Sequence, residues 1–158
     1  MQSALSRSPA LCKASFVAPS AAISGNVTVG ENSSVWYGST LRGLIFILLC
    51  LWVVGDVADI EIGSNTHICD NVVVHVDSPP NQIHTHIGNN VVIEKGSIIH
   101  ACDIDDNCLI GEGVTVLDGA HICEGAAIAP GSIVTPRKTV GSGEVGFYDF
   151  SMIFDDFR

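Results

Sequence analysis

His75 follows Val74, His100 follows Ile99 and Arg42 follows Leu41, so each of these three polar side chains comes directly after an aliphatic residue that belongs to a recurrent series. If the fold gathers those aliphatics into one inward column, the alternation of strand side chains turns all three polar groups outward into a second column. Two neighbouring imidazoles can share a metal such as zinc, at nitrogen distances of about 2.0–2.1 Å. A guanidinium in the same row offers charge to a small anion. The same pair also reads as two solvated surface imidazoles. Zinc catalysis commonly uses three protein ligands and a water whose pKa the metal lowers, and a third ligand is missing from this face.

What must position these side chains is a six-residue beat. Aliphatics stand at Ile23, Val29, Val35 and Leu41, at Ile62, Ile68 and Val74, at Ile87, Ile93 and Ile99, and from Ile104 through Ile110, Val116, Ile122, Ile128 and Val134 to Val140. Small or short residues such as Ser33, Ser39, Thr66, Ser97, Cys108 and Ala120 stand four positions after members of the series. This period fits neither a helix nor a flat sheet. It predicts an all-β fold, a single-stranded left-handed parallel β-helix of hexapeptide repeats, in which three hexads make one coil. Residues one coil apart then stack about 4.8 Å from one another. Calling the face of Val74 the first, Ile87, Ile93 and Ile99 fall on the second, third and first faces if Asp77 to His86 bulges out with about seven extra residues. Pro79-Pro80-Asn81 supports that loop. The outward column of the first face then reads Ser24, Arg42, His75, His100, Leu117 and Thr135.

The 158 residues suffice for one domain, and the 15% of charged residues and 16 glycines suit stacked aliphatics and tight corners. A net charge of −10 argues against a nucleic-acid partner. Six cysteines without a CxxC pair or a secretory signal read as reduced intracellular thiols, Cys102 and Cys108 being wall residues of the coil. The expected boundaries are an arm or targeting remnant at 1–15, the coil domain at 16–145 and a tail at 146–158. Residues 1–30 carry Arg7 and Lys13 and no acid, weakly like a mitochondrial presequence, with a short disordered arm as the alternative and a cytoplasmic chain in that case. The beat fails at an apolar insertion, 44–55, too short to span a membrane as a helix. Removing about twelve residues there restores the register. His84 and His86 fall in the expected loop, His67 and His121 look scattered, and all four read as solvent-facing.

The chain resembles the γ-class carbonic anhydrases. The matching stretches are Phe16-Val17-Ala18-Pro19-Ser20, Ser34-Val35-Trp36-Tyr37-Gly38, Leu41-Arg42-Gly43 resuming at Asp56-Val57, Asn71 to Val76, Ile98-Ile99-His100-Ala101-Cys102, Leu117-Asp118-Gly119 and Ser142-Gly143-Glu144-Val145. The resemblance implies a trimer in which zinc, with iron or cobalt as alternatives, is held between subunits by two histidines of one chain and a third from its neighbour. The first two correspond to His75 and His100. The third corresponds to Lys95, whose ammonium offers no lone pair. A glutamine near the metal water corresponds to Cys69, and an Arg-Asp pair that supports the interface and bicarbonate handling corresponds to Arg42 and Asp56, here separated by the apolar run. The C-terminal helix of that family is missing or truncated here.

The resemblance therefore implies reversible hydration of carbon dioxide to bicarbonate at an interfacial zinc, with the ligand set broken at Lys95. It also implies a second role. Relatives of this family sit on the membrane arm of mitochondrial respiratory complex I as heterotrimers, often with incomplete zinc sites, so the partners would be related subunits in a homotrimer or heterotrimer. A hexapeptide-type acyltransferase with a histidine general base is the third reading.

Overall fold

A computed structural model describes residues 16–43, 58–77 and 83–146, and all regular structure in them is β. The arm, the apolar insertion with Asp56, Pro79-Pro80-Asn81 and the tail beyond Gly146 lie outside the described residues. Strands of two or three residues stack into three parallel sheets, an architecture consistent with the expected left-handed β-helix. The first sheet holds Ala22–Ser24, Thr40–Arg42, Val73–His75, Ile98–His100, Thr115–Val116 and Ile133–Val134. The second holds Val27–Val29, Ile60–Ile62, Thr85–Ile87, Asp103–Ile104, His121–Ile122 and Thr139–Val140. The third sheet, with seven strands, runs from Phe16–Val17 to Val145–Gly146. Each coil visits the third, first and second sheets in turn.

The beat becomes a core because one aliphatic per strand points inward and stacks on its counterparts in neighbouring coils. Leu41, Val74, Ile99, Val116 and Val134 line the first face from inside, all fully buried. The small residues four positions on are buried too, at the corners. Where they are polar they bond to the next coil: the hydroxyls of Ser33, Ser39 and Thr66 each donate to a carbonyl at 2.7 Å, those of Gly63, Cys69 and Gly88. Among the described residues no buried side-chain polar atom lacks a hydrogen-bond partner, as the cost of an unpaired buried group requires. Asn32, Asn65, Asn71, Asn90 and Asn107 take the left-handed corner conformation, with φ between 56° and 63°, which asparagine tolerates better than most side chains.

Register falls as expected on the first face, where Arg42 pairs with His75 and His75 with His100. His75 and His100 are 25 residues apart, seven more than one coil, so the bulge has its expected size. It is closed by the Asp77 N–H donating to the Ile83 carbonyl at 3.2 Å. Two expectations need correction. The offset from Arg42 to His75 is fifteen residues longer than a coil of eighteen, not about twelve, and Val29 against Ile62 has the same offset. His86 is not in the bulge: it lies in the strand Thr85–Ile87, opposite both Glu61 and Asp103.

Directly after His100 the coil is one residue short, since Ile104 follows Ile99 by five positions. Ala101 absorbs the deficit in the left-handed region at φ 46°, a conformation that costs an alanine about 1 kcal/mol. Its N–H is held by the His75 carbonyl at 3.0 Å and the Thr85 hydroxyl at 3.1 Å. The tight corner thereby ties the two histidine-bearing rungs together.

Candidate metal centre

The two rungs place His75 and His100 side by side on the outer surface of the first face, each half-buried. Their rings stack with centroids 5.1 Å apart and planes inclined by 23°. The Nδ1 of His75 lies 3.1 Å from the Nε2 of His100. Two nitrogens bound tetrahedrally to one zinc would be about 3.3 Å apart, so the pair is spaced to share an ion. The other nitrogen of His100, Nδ1, bonds to the Asp118 carboxylate from the next coil. That carboxylate–histidine arrangement fixes ring orientation and tautomer and leaves Nε2 for a metal.

Burial, then the neighbouring His100 and Arg42, push the His75 pKa below its ordinary value, against opposing contributions from the Val76 backbone and Asp77. His75 is thus neutral at physiological pH and keeps a lone pair for coordination. Arg42 is exposed on the adjoining rung. Asp118 is the member of the site that the spacing argument missed. Its signal was its place directly after Leu117, the residue one coil on from His100.

Lys95 and Cys69, the other expected residues among those described, do not join this cluster in one chain. Lys95 sits at the corner between the third and first faces, its ammonium 3.3 Å from the Glu112 carboxylate. Cys69 follows the strand His67–Ile68 on the third face. Burial pushes its thiol pKa up, and the nearby Glu94 and Asp70 carboxylates push it further. Asp56 lies outside the described residues.

Beside the histidine column stand two exposed apolar side chains. Val73 and Ile98, one position before the inward residues of their strands, are exposed on the first face. On the third face Phe16, Trp36, Tyr37, Leu109 and Val145 are exposed, with the Phe16 ring 5.3 Å from Trp36 and 6.1 Å from Tyr37. Exposed apolar side chains gathered on two adjoining faces are the usual mark of an assembly surface.

Comparison with known proteins agrees with the coil architecture. The family model described as bacterial transferase hexapeptide (six repeats) matches residues 84–118. The chain is 39% identical over 110 residues to a protein of Arabidopsis thaliana named gamma carbonic anhydrase 2, mitochondrial, covering 68% of this chain and 35% of that one. It is 40% identical over 95 residues to a probable carbonic anhydrase of Methanocaldococcus jannaschii, covering 60% of this chain and 50% of the relative. The chain thus spans about a third to a half of the length of these curated relatives. Among solved structures, a hexapeptide transferase family protein from Anaplasma phagocytophilum superposes with a TM-score of 0.72 at 38% identity, covering 87% of this chain and 72% of that one. On sequence and coil geometry together, the chain belongs to the γ-class carbonic anhydrase family of hexapeptide-repeat proteins.

Proposed function

We propose that this chain is a γ-carbonic-anhydrase-like subunit that contributes two ligands, His75 and His100, to an interfacial zinc centre for the reversible hydration of carbon dioxide. The observation that carries the reading is the 3.1 Å approach of two imidazole nitrogens, one imidazole held by the Asp118 carboxylate. Zinc held there would act as a Lewis acid and bring the pKa of a water towards neutrality. His75, kept neutral, and His100, oriented by Asp118, are the donors. Arg42, one rung away, supplies positive charge beside a bicarbonate anion. The apolar side chains of Val73 and Ile98 exclude water from the column once a neighbouring subunit covers them.

In a trimer of identical chains the third position is a lysine engaged by Glu112, so the homotrimer has an incomplete ligand set and low activity. A related subunit with histidine at the position of Lys95 completes it. The mitochondrial names of the Arabidopsis relatives support that compartment for this chain. Lys95 and the exposed apolar residues together favour one second reading, a structural subunit of the respiratory complex I membrane arm.

The test is zinc content and hydration rate of the purified oligomer, before and after Lys95→His, counting only zinc that is lost on His75→Ala. The expected result is little such zinc in the native oligomer, and a gain of about tenfold or more in occupancy at limiting zinc after Lys95→His. A native homotrimer that already holds this zinc and hydrates carbon dioxide rapidly sinks the incomplete-site reading. A Lys95→His oligomer that still holds none points to the structural role, and acetyl-CoA binding would point to the acyltransferase role.

A further inference from the structure

The second face carries another set of ligand-type side chains, away from the histidine pair. Its outer column reads Glu61, His86, Asp103 and His121 in continuous register, each opposite the next. Beside it runs a column whose earlier rungs are Gly30, Gly63 and Gly88. A Cβ at Gly63 would lie 2.6 Å from the Gly88 carbonyl carbon, so side chains are excluded there. On the next two coils the same column changes character and presents Asp105 and then Cys123.

His121 and Cys123 flank the inward Ile122 and so project from the same side of one strand, and Asp105 follows Ile104 on the rung above. One ligand atom from each of Asp105, His121 and Cys123 lies within 4.8 Å of the others. The Nε2 of His121 is 3.0 Å from the Asp105 carboxylate, and all three residues are half-buried. The supports are rungs of the coil, not loops. The Asp105 N–H donates to the Ile122 carbonyl at 2.9 Å, and the Cys123 N–H to that of Val140 at 3.0 Å. The Cys123 carbonyl accepts the buried Cys108 thiol at 3.2 Å.

We propose that Asp105, His121 and Cys123 form a second metal site, selective for a zinc-type divalent cation, on the second face, away from the histidine pair of the first. One oxygen, one nitrogen and one sulfur donor suit tetrahedral zinc or cobalt(II) with a fourth position open to water. The soft thiolate disfavours magnesium and calcium. Binding replaces the His121–Asp105 hydrogen bond by two metal bonds: starting from the neutral imidazole, the ring gives up its Nε2 proton and takes one at Nδ1, and the Cys123 thiol proton goes to solvent, so the ion enters as the dication and one proton leaves. The surrounding carboxylates of Asp103 and Glu61, in a chain of net charge −10, draw cations to this face. The proposal does not depend on the histidine pair of the first face.

The probe is cobalt(II), added to the full chain carrying His75→Ala and His100→Ala so that the first face cannot contribute. The expected result is one cobalt per chain with a near-ultraviolet thiolate-to-cobalt charge-transfer band, and loss of that band on adding Cys123→Ser. No band, or a band that survives Cys123→Ser, overturns the site. A second measurement needs no variant: zinc at an equimolar amount slows alkylation of Cys123 in the native chain, read by peptide mass, because the metal occupies the thiolate lone pair. Equal alkylation rates with and without zinc overturn the proposal as well.

Discussion

The first and second faces are built on the same rungs with the same spacing, yet their outer columns organise charge in opposite ways. On the first face Arg42, His75 and His100 stand in sequence, three groups of which none is acidic. On the second face Glu61, His86, Asp103 and His121 alternate acid and imidazole. Stacking at about 4.8 Å makes each group the main electrostatic neighbour of the next. Like neighbours disfavour protonation, and the His75 pKa is pushed down accordingly, although burial is the larger cause. The acid that does serve the first face, Asp118, comes from a corner, not from the column. The comparison teaches that the β-helix sets distances uniformly, and that the residue placed on each rung decides whether a row sets imidazole beside imidazole or pairs each imidazole with an acid.

The comparison breaks most severely if the wall behind the histidine column is removed. Ile99 is fully buried between Val74 and Val116, directly inside His100. Ile99→Ala deletes three buried carbons in a column with no space to collapse, and is expected to cost about 2–5 kcal/mol. Equilibrium denaturation reads this as a lower midpoint. Ile122→Ala, the corresponding change behind His121, should cost a comparable amount. A loss under 1 kcal/mol at both sites would contradict a core made of stacked single aliphatics.

A smaller effect separates the two faces chemically. Asp118→Asn keeps the size of the side chain at the corner but removes the charge that orients His100. In an oligomer whose site has been completed by Lys95→His, zinc affinity should fall about 10–100-fold, measured by competition with a chelator. Cobalt binding at Asp105, His121 and Cys123 should not change, since Asp118 takes no part in that cluster. Equal losses at both faces would mean that Asp118 acts by stabilising the coil.

Much of the architecture was legible because the β-helix repeats one physical decision, an inward aliphatic, at every rung. The pairing of His75 with His100 follows from Val74 and Ile99 by alternation once a seven-residue bulge is allowed between them, and Arg42 joins them without knowledge of the insertion's shape. What was hidden depends on corners. The fifteen-residue offset before His75 cannot be counted from the beat, because the insertion has no beat to count. The role of Asp118 depends on a corner position, directly after Leu117, that the inward beat does not describe. His86 and His121 were set aside as solvent-facing singles, because a histidine before an inward residue carries no signal until its cross-strand neighbour is known to be Asp103. The grouping of Asp105 with His121 and Cys123 had the same spacing logic as the first face, at i, i+16 and i+18, but with three residue types in place of one.

The smallest expected effect bears on the residue standing where the family has a glutamine. Cys69 is half-buried on the third face, and burial, Glu94 and Asp70 all raise its thiol pKa. Each cause penalises the thiolate, so the fraction able to react or to ligate at neutral pH is lower than for an unperturbed cysteine of pKa about 8.5. Alkylation of Cys69 at pH 7.5, followed by peptide mass, should therefore be slower than that of a free thiol of the same accessibility. Its rate should continue to rise above about pH 10, where an unperturbed thiol has levelled off. Glu94→Gln removes one of the two named charges and should move the profile modestly towards lower pH, while burial keeps it above the ordinary position. A profile that levels off below pH 8 would instead make Cys69 a ready thiolate, and with it a donor for a metal held against a neighbouring subunit.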